Sequence, residues 1–404
     1  MASVAAPGVP RGTSTSPVDA PAPGTSPELD PEPASAPGPL QRLAAVLRWP
    51  APAGAFRRLV DPLAAGSGVL ARIESIVVET ERASTIVLRL GRGWTPHRAG
   101  QWVSVGVDVD GVRHHRCYSI TSLPSRDRVT ITVQSVPGGI VSNHLITDAR
   151  PGDVVHLDGP DGDFTLEAVS GSATAPRRLL MVTGGSGITP VLGMLRALDA
   201  GVEPDACIGD VVILHHAPSE RESLFTDELL ALERRRPGVR VHLVATGAGA
   251  PPPELELRST RLDELCPDWR DREAWACGPQ PLVDAIGELW GGGTTNPHGT
   301  TEPLHVERFT PSTQVVGDQV AGTLTFAAAD VSIASDGTRT VLELAEEAGL
   351  APVAGCRMGV CRRCVVPLRS GAVVDLRDGR CESEAGTHVQ ICISAPLGDA
   401  ELDL

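Results

Sequence analysis

Residues 355–364 of this 404-residue chain read GCRMGVCRRC, which sets three cysteines at the spacing C-x4-C-x2-C. A fourth cysteine, Cys392, follows 28 positions after the third. Gly355 and Gly359 let the backbone pass close to a bulky group and aim N–H groups at it. Because cysteine thiolates are metal ligands, this stretch predicts a loop wrapped around an iron–sulfur or zinc site.

The spacing favours a [2Fe–2S] cluster. Four thiolates hold its two irons, and a close C-x4-C-x2-C group with one distant cysteine is typical of the plant-type arrangement. Arg357 and Arg362 can offset the negative charge of the cluster and its thiolates. The predicted ligands are Cys356, Cys361, Cys364 and Cys392.

Two alternatives concern the same cysteines. Zinc also binds C-x2-C pairs, but a tetrahedral zinc site usually shows two short pairs, and this chain has one close group and one distant singleton. Cys381 lies eleven residues before Cys392 and competes with it for the fourth position. We expect Cys381 to be a spare thiol.

The composition excludes several classes of protein. The net charge is −15 and aromatic residues make up 3%, so the chain has no basic face for nucleic acid. No apolar run approaches the roughly 18 residues that a membrane span needs. Of the nine cysteines, four have cluster spacing and five are scattered, which favours a reducing compartment over a disulfide framework. We expect a cytoplasmic protein without a transmembrane segment of its own.

The pattern of residues divides the chain into four parts. Residues 1–65 hold 13 of the 35 prolines and are expected to be disordered. They include a short amphipathic helix at residues 40–47, which packs on its own protein or docks on a partner or membrane surface. The three folded parts are expected at residues 66–170, 171–310 and 311–404.

Each folded part has its own pattern. Residues 66–170 show β-branched runs separated by turn residues, which predict a small closed β-barrel. Residues 171–310 alternate strands and helices, which predicts a parallel α/β domain with ligands at the carboxyl ends of its strands. Residues 311–404 begin with a linker to about residue 320, followed by strands and a helix that Thr340 and Glu343 start with a capping box. The fold class is therefore multidomain, with a β-barrel, an α/β domain and an α+β domain.

Two motifs stand out in the barrel. Arg116-Cys117-Tyr118-Ser119 lies on a strand, where alternation puts Arg116 and Tyr118 on one face and Ser119 on the other. About 22 residues later, Gly138-Gly139-Ile140-Val141-Ser142 forms a glycine turn at the start of a short helix. Helix N-termini bind phosphate groups, so this turn is a candidate phosphate site.

Two further motifs lie in the α/β domain. Thr183-Gly184-Gly185-Ser186-Gly187-Ile188-Thr189-Pro190 links a strand to a helix, and its glycines permit close backbone approach to a pyrophosphate. Cys277-Gly278-Pro279 follows a later strand that ends at Ala276.

These motifs resemble those of the ferredoxin–NAD(P)H reductase superfamily, and the last ninety residues look like a plant-type [2Fe–2S] ferredoxin domain. The order flavin, nicotinamide, ferredoxin is similar to that of phthalate dioxygenase reductase. The flavin part also resembles reductases that feed membrane fatty-acid desaturases and hydroxylases. The resemblance covers the chain from about residue 66 and implies a flavin barrel, an NAD(P) domain and a β-grasp ferredoxin domain.

The resemblance implies roles for individual residues. Arg116 would meet the flavin phosphate, Tyr118 would pack on the isoalloxazine and Ser119 would hydrogen-bond near N5. Cys277 would lie beside the nicotinamide and align hydride transfer, with Tyr118 and Ser119 completing the catalytic set. The remaining predicted cofactor-binding residues are Gly139, Val141, Ser142, Gly184, Gly185, Gly187, Thr189, Pro190, Gly278 and Pro279.

The residues indicate less clearly which flavin and which coenzyme the chain binds. A second phosphate-binding helix favours FAD, whose pyrophosphate needs it, although the phthalate-type relatives use FMN. Ser219 and Arg221 lie where NADPH-using relatives hold the 2′-phosphate. Glu220 and Glu222 would repel that phosphate, so the sequence favours NADPH over NADH only slightly.

The chain is thus expected to be an NAD(P)H-dependent oxidoreductase. It would take hydride onto FAD and pass single electrons through the [2Fe–2S] cluster to a diiron desaturase, a hydroxylase or another oxygenase. Such a partner could be membrane-bound and would hold the protein at the membrane periphery. The alternative is a stand-alone reductase of quinones, flavins or nitrogen-oxide-linked acceptors.

Overall fold

The structure is a computed structural model, and it describes residues 69–166, 176–202, 208–247, 261–291, 303–309, 320–359, 361–377 and 379–404. The described residues all belong to one compact unit. The expected N-terminal disorder, the helix at residues 40–47 and most of the linker before residue 320 lie outside the described residues.

The first sheet is antiparallel and has the strand order β4-β3-β6-β1-β2-β5. Residues 69–90 form two strands, joined by a turn at Glu81 and Arg82. A short helix, α1 (Ile140–Asn143), and a π-helical turn, His144–Asp148, lie between β5 and β6 as expected. The strands are β1 (Val69–Thr80), β2 (Ala83–Leu90), β3 (Trp102–Val109), β4 (Val112–Ser119), β5 (Arg128–Gln134) and β6 (Val154–Asp161).

The sheet closes into the predicted barrel where its two edge strands meet. Ile120, directly after β4, forms an antiparallel bridge with Ile131 of β5. The side-chain hydroxyl of Thr121 also lies 2.7 Å from that of Thr130. The apolar side chains of the strands fill the interior, with Val103, Val105 and Ile131 fully buried.

The second sheet is parallel, with the order β11-β10-β7-β8-β9. Alternate residues of β7 enter two different cores, Leu179 and Met181 on one face and Leu180 and Val182 on the other. Both faces are therefore covered, as parallel sheets require. Its strands are β7 (Arg177–Gly184), β8 (Ile208–Ala217), β9 (Val239–Ala245), β10 (Glu273–Cys277) and β11 (Leu304–Glu307), and its helices are α2 (Ile188–Ala200), α3 (Thr226–Arg235), α4 (Arg261–Leu265) and α5 (Gln280–Gly291).

The third sheet is mixed and packs on one helix, α6 (Val341–Glu347), which begins with the predicted capping box of Thr340 and Glu343. Its order is β13-β12-β17-β14-β15, and β16 pairs with β14. The long strands after the cysteine loop were not predicted. The strands are β12 (Gly322–Phe326), β13 (Val331–Ser335), β14 (Val365–Asp375), β15 (Cys381–Glu382), β16 (His388–Gln390) and β17 (Ser394–Leu402).

Helix α2 joins the parallel sheet to the barrel. Gly193 lies so close to the barrel that a Cβ atom there would be 2.6 Å from the carbonyl oxygen of Ile120. Arg196, one turn later, donates to the carbonyl of Thr121 at 2.8 Å and pairs with Glu228 of α3. The end of β4 is thus fixed against the α/β domain. None of the helices in the described ranges is long and apolar enough to cross a lipid bilayer.

Two glycine-to-alanine substitutions in helices should change stability in opposite directions. Gly193→Ala should lower the free energy of unfolding by roughly 1–3 kcal/mol, because the added methyl group overpacks the contact with Ile120. Gly287→Ala in α5 meets nothing within 4 Å, so its better helix propensity should raise stability by about 0.5–1 kcal/mol. Chemical denaturation of both variants checks this, and a neutral Gly193→Ala would refute the close contact.

Candidate active site

Strand β4 carries the first predicted motif and lies where the three parts of the chain meet. Ser119 is buried, and its hydroxyl has no hydrogen-bond partner among the described residues. Tyr118 is largely buried, which raises the pKa of its phenol. Arg116 donates through Nη1 to its neighbour's carbonyl at 2.7 Å and to the carbonyl of Gly355 at 3.5 Å. The orphaned Ser119 hydroxyl fits a ligand atom at the place expected for a flavin.

The second barrel motif forms the turn before α1. The amide of Val136 donates to the Ser142 hydroxyl at 3.3 Å, and Gly139 lies directly over that hydroxyl. No side chain caps the helix, so its first N–H groups stay available for a phosphate. Val141 is buried and anchors the helix in the barrel core.

The nucleotide loop packs directly on the Cys277-Gly278-Pro279 turn. A Cβ atom at Gly187 would lie 2.1 Å from the carbonyl oxygen of Cys277, so only glycine fits there. Gly184 packs in the same way against the ring of Pro279. The Thr189 hydroxyl donates to the carbonyl of Ser186 at 2.8 Å and fixes the start of α2. Two motifs 90 residues apart in the sequence therefore form one site at the carboxyl ends of β7 and β10.

Cys277 is fully buried, and burial raises the pKa of its thiol. Next to it on the parallel strand β11 lies Glu307, which the sequence analysis missed. Its Oε2 is buried and has no hydrogen-bond partner among the described residues. Burial, with a smaller contribution from Asp163, raises the pKa of Glu307 to about 8. The sequence offered only a weak indication, a glutamate at the end of the short strand Leu304–Glu307.

Ser219 and Arg221 lie beyond the carboxyl end of β8. The Ser219 hydroxyl donates to Glu222 at 3.0 Å, whereas Arg221 is exposed and makes no described contact. Beside them is a cavity of about 320 Å³, lined by His215, Ala217, Ser219, Glu220, Ser223, Leu243, Val244 and Ala245. Its position at the strand ends suits the adenosine side of a dinucleotide.

The four predicted cluster ligands lie as two pairs. The amide of Cys356 donates to Cys361 Sγ at 3.2 Å, and the amide of Cys361 donates to Cys356 Sγ at 3.4 Å. A hydrogen bond from the Cys392 thiol lowers the pKa of Cys364 to about 7. Among the described residues no three His, Cys, Asp or Glu side chains are arranged around one metal ion. Two thiol pairs with backbone N–H groups aimed at their sulfurs fit a two-iron cluster with four thiolate ligands.

Strand pairing explains how distant cysteines meet. Cys364 directly precedes β14 and Cys392 lies between β16 and β17, both of which pair with β14. Val365 pairs with Gln390, so the two cysteines lie at the same end of that ladder. Cys381 is exposed and contacts the carbonyl of Gly379 at 3.8 Å.

Two contacts of the cysteine loop were not expected from the sequence. Arg357 pairs with Glu346, so part of its charge is already balanced within the domain. A fifth thiol, Cys117 of β4, interacts with that of Cys356, and together with Cys361 it lowers the pKa of Cys356. In the sequence, this contact could have been inferred only from Cys117, the cysteine at the second position of the barrel motif.

Three family models match the chain in order. The first describes an oxidoreductase FAD-binding domain over residues 78–166, and the second an oxidoreductase NAD-binding domain over residues 181–288. The third describes a 2Fe-2S iron-sulfur cluster binding domain over residues 326–397.

One relative extends over nearly the whole chain. An NADPH oxidoreductase of Mycobacterium tuberculosis is 37% identical over 370 residues, which are 90% of this chain and 92% of the relative. The chain belongs to the ferredoxin–NAD(P)H reductase superfamily. The reductase subunit of glycine betaine monooxygenase from Pseudomonas aeruginosa is 29% identical and covers 76% of this reductase and 87% of its own length.

The fold of this reductase is also found in a solved structure. Phthalate dioxygenase reductase superposes with a TM-score of 0.53 at 23% identity, over 83% of this chain and 97% of that one. At this identity the likeness shows the fold alone. The predicted fold class, oxidoreductase activity and FAD, NAD(P)H and [2Fe–2S] cofactors are confirmed, whereas the domain boundaries and the roles of single residues stay predictions.

The two candidate fourth ligands should respond differently to substitution. Cys392→Ser should remove the absorption and electron paramagnetic resonance spectrum of the cluster, because the pair with Cys364 is lost. Cys381→Ser should keep both, because that thiol is exposed and apart. The assignment is wrong if the cluster survives in Cys392→Ser and is lost in Cys381→Ser.

Glu307 should make stability depend on pH. Its pKa is about 8 in the folded chain against 4.5 for the free group, so the folded reductase keeps a proton that the unfolded chain releases. Burying the protonated Glu307 therefore lowers the free energy of unfolding when the unfolded chain would be ionised. This loss is absent below about pH 4.5 and grows until about pH 8. The melting temperature of Glu307→Gln in the absence of coenzyme should therefore exceed that of wild type increasingly from about pH 5 to about pH 8.

Glu264→Gln is the matched control, since it removes a carboxylate from an exposed position. The difference between its melting temperature and that of wild type should not grow with pH as the difference for Glu307→Gln does. A Glu307→Gln curve parallel to that of wild type would contradict a buried, protonated carboxyl group.

Proposed function

We propose that the reductase takes two electrons as hydride from NADPH and delivers them singly to an iron-containing oxygenase, desaturase or hydroxylase. One observation carries this proposal: Arg116 of the flavin motif donates to the carbonyl of Gly355 in the cluster loop at 3.5 Å, and the Cys117 thiol next to it interacts with that of Cys356. The flavin strand and the cluster ligands thus touch, as a relay of electrons between two redox groups requires.

The chain's own residues perform defined tasks in this proposal. The buried Ser119 hydroxyl has a hydrogen bond to offer and would hold the flavin near N5, and the buried Tyr118 would pack on the flavin and exclude water. Cys277 lines the nicotinamide side as a neutral thiol, because burial raises its pKa. The bound flavin supplies two-electron and one-electron chemistry, and the protein sets distance and orientation.

Glu307 completes this site as a group that stores a proton. With a pKa of about 8 it is protonated at neutral pH and lies next to Cys277 on the adjacent strand. A neutral carboxyl group there can donate a hydrogen bond to the carboxamide of the coenzyme. We assign Glu307 a role in orienting the nicotinamide.

NADPH is the coenzyme that we propose. Arg221 is exposed beside the cavity at the end of β8, where its guanidinium is free to meet a 2′-phosphate. Ser219 bonds to Glu222 and so engages one of the two carboxylates that would repel that phosphate. The Mycobacterium tuberculosis relative, which is named for NADPH, supports the same choice.

We further propose that the acceptor is a separate protein with a basic docking face. Residues 311–404 carry seven arginines and thirteen acidic residues, a net charge of −6, so opposite charge would steer the acceptor to the cluster. The Pseudomonas aeruginosa relative is the reductase subunit of a monooxygenase, which supports an oxygenase partner. The unpaired thiols suit the cytoplasm, where a membrane-bound acceptor would hold the reductase at the membrane surface.

Anaerobic reduction tests the electron path. NADPH should bleach the flavin absorption faster than NADH does, and the signal of the reduced cluster should follow. Cytochrome c, a one-electron protein acceptor, should then be reduced in a reaction that Cys361→Ser abolishes and Cys381→Ser leaves intact.

Small acceptors separate the two candidate functions. If a quinone or free flavin is reduced faster than cytochrome c, and Cys361→Ser leaves that rate unchanged, the chain is a stand-alone oxidoreductase. If NADPH and NADH both fail to bleach the flavin, the proposal fails altogether.

A further inference from the structure

Arg363 of the cysteine loop bonds to side chains of the barrel. It lies between the predicted ligands Cys361 and Cys364, and its Nη2 donates to the carboxylate of Asp158 on β6. Its Nη1 lies 3.1 Å from Nε2 of His115 on β4. One side chain of the ferredoxin domain therefore bonds to two strands of the barrel.

The barrel side of this contact is itself a built site. His115 is buried, and its ring packs over the backbone of Gly106 on β3. The Nδ1 atom of His115 lies 3.5 Å from the Ser104 hydroxyl and 3.9 Å from Asp158. Burial and the neighbouring Arg363 lower the pKa of His115 to about 4, so the neutral ring accepts a hydrogen bond from the guanidinium.

The same face of β4 carries the two contacts to the cysteine loop. His115 and Cys117 alternate with Arg116 along the strand, so they point the same way. His115 accepts a hydrogen bond from Arg363, and the Cys117 thiol interacts with that of Cys356. Arg116 adds a bond to the carbonyl of Gly355. The hydrogen bond to Arg363 and the contact with Cys356 thus lie two residues apart on one strand.

We propose that Arg363, Asp158 and His115 form an interdomain latch that holds the cluster loop against the flavin strand and sets the rate of electron transfer between the two cofactors. The latch residues are positioning residues. The step that they control moves one electron from the reduced flavin to the oxidised cluster, with no bond made or broken. The inference rests on the proposed electron path and adds to it the contact that keeps the path short.

The latch is tested by charge reversal on each side. Asp158→Arg and Arg363→Asp should each slow cluster reduction about tenfold or more after flavin bleaching by NADPH, because a close charge pair is broken. Bleaching itself should keep its wild-type rate in both variants. The double variant, which restores the pair with opposite polarity, should recover most of the loss. Stopped-flow absorption with freeze-quenched paramagnetic resonance follows the two steps separately.

A second measurement needs no turnover. Raising salt from about 0.1 M to about 1 M shortens the Debye length from roughly 10 Å to roughly 3 Å and should loosen the partly exposed ion pair. Small-angle X-ray scattering of the full chain should then show a larger radius of gyration. Asp158→Arg should have the larger radius already at low salt, with no further change as salt rises.

Arg369→Asp is the matched control, since it reverses an exposed charge that pairs with Asp403 inside the ferredoxin domain. It should leave both the radius and the rate of cluster reduction as in wild type. Arg363 lies between two predicted cluster ligands, so Arg363→Asp can lose the cluster. In that case Asp158→Arg decides the test alone, because Asp158 lies on the barrel and away from the ligands.

Other results would overturn the latch. The latch is refuted if Asp158→Arg reduces its cluster at the wild-type rate. It is also refuted if the double variant reduces its cluster as slowly as the single variants do. Failure of NADPH to bleach the flavin in wild type would instead refute the proposed function, so the two failures are distinguishable.

Discussion

Strand β4 is constrained from three sides, and the arrangement of the site depends on that constraint. Its carboxyl end meets helix α2 through the backbone contact between Ile120 and Gly193. Its middle meets the cysteine loop through Cys117, and its end bears the buried Ser119 hydroxyl. A strand packed in this way cannot shift by one residue, because every side chain would then change faces. The predicted flavin and cluster sites therefore share one rigid element.

Local patterns predicted most of the fold and the motifs. The β-branched runs, the strand–glycine–helix transition at Gly184 and the capping box at Thr340 each depend on neighbours in sequence, and all were found. The strands β14 and β17 were missed. The register of their pairing shifts between Leu368 and Ser370 and again between Gly371 and Val373, and these irregularities interrupt the alternation by which a strand is found in the sequence.

Contacts between distant segments could not be predicted in the same way. Glu307 belongs to the site only because it lies beside Cys277, and the pairing of β10 with β11 creates that adjacency. Arg363 was one of three arginines in the loop, and the sequence favoured Arg357 and Arg362. Only the packing of the loop on the barrel distinguishes the arginine that meets Asp158 from the one that meets Glu346. Single-sequence patterns carry no information on which charges face each other across a domain boundary.

The pairing of β14 with β16 also has a consequence for engineering. Because Val365 pairs with Gln390, the ladder itself brings Cys364 and Cys392 together, and the connection near Gly386 contributes no ligand. A Cβ atom at Gly386 would meet nothing within 4 Å. Lengthening a surface loop costs little entropy, about 0.6 kcal/mol for each doubling. An insertion near this turn that keeps the hydrogen bonds of Gly386 and Thr387 to Leu368 should therefore leave both cysteines in place.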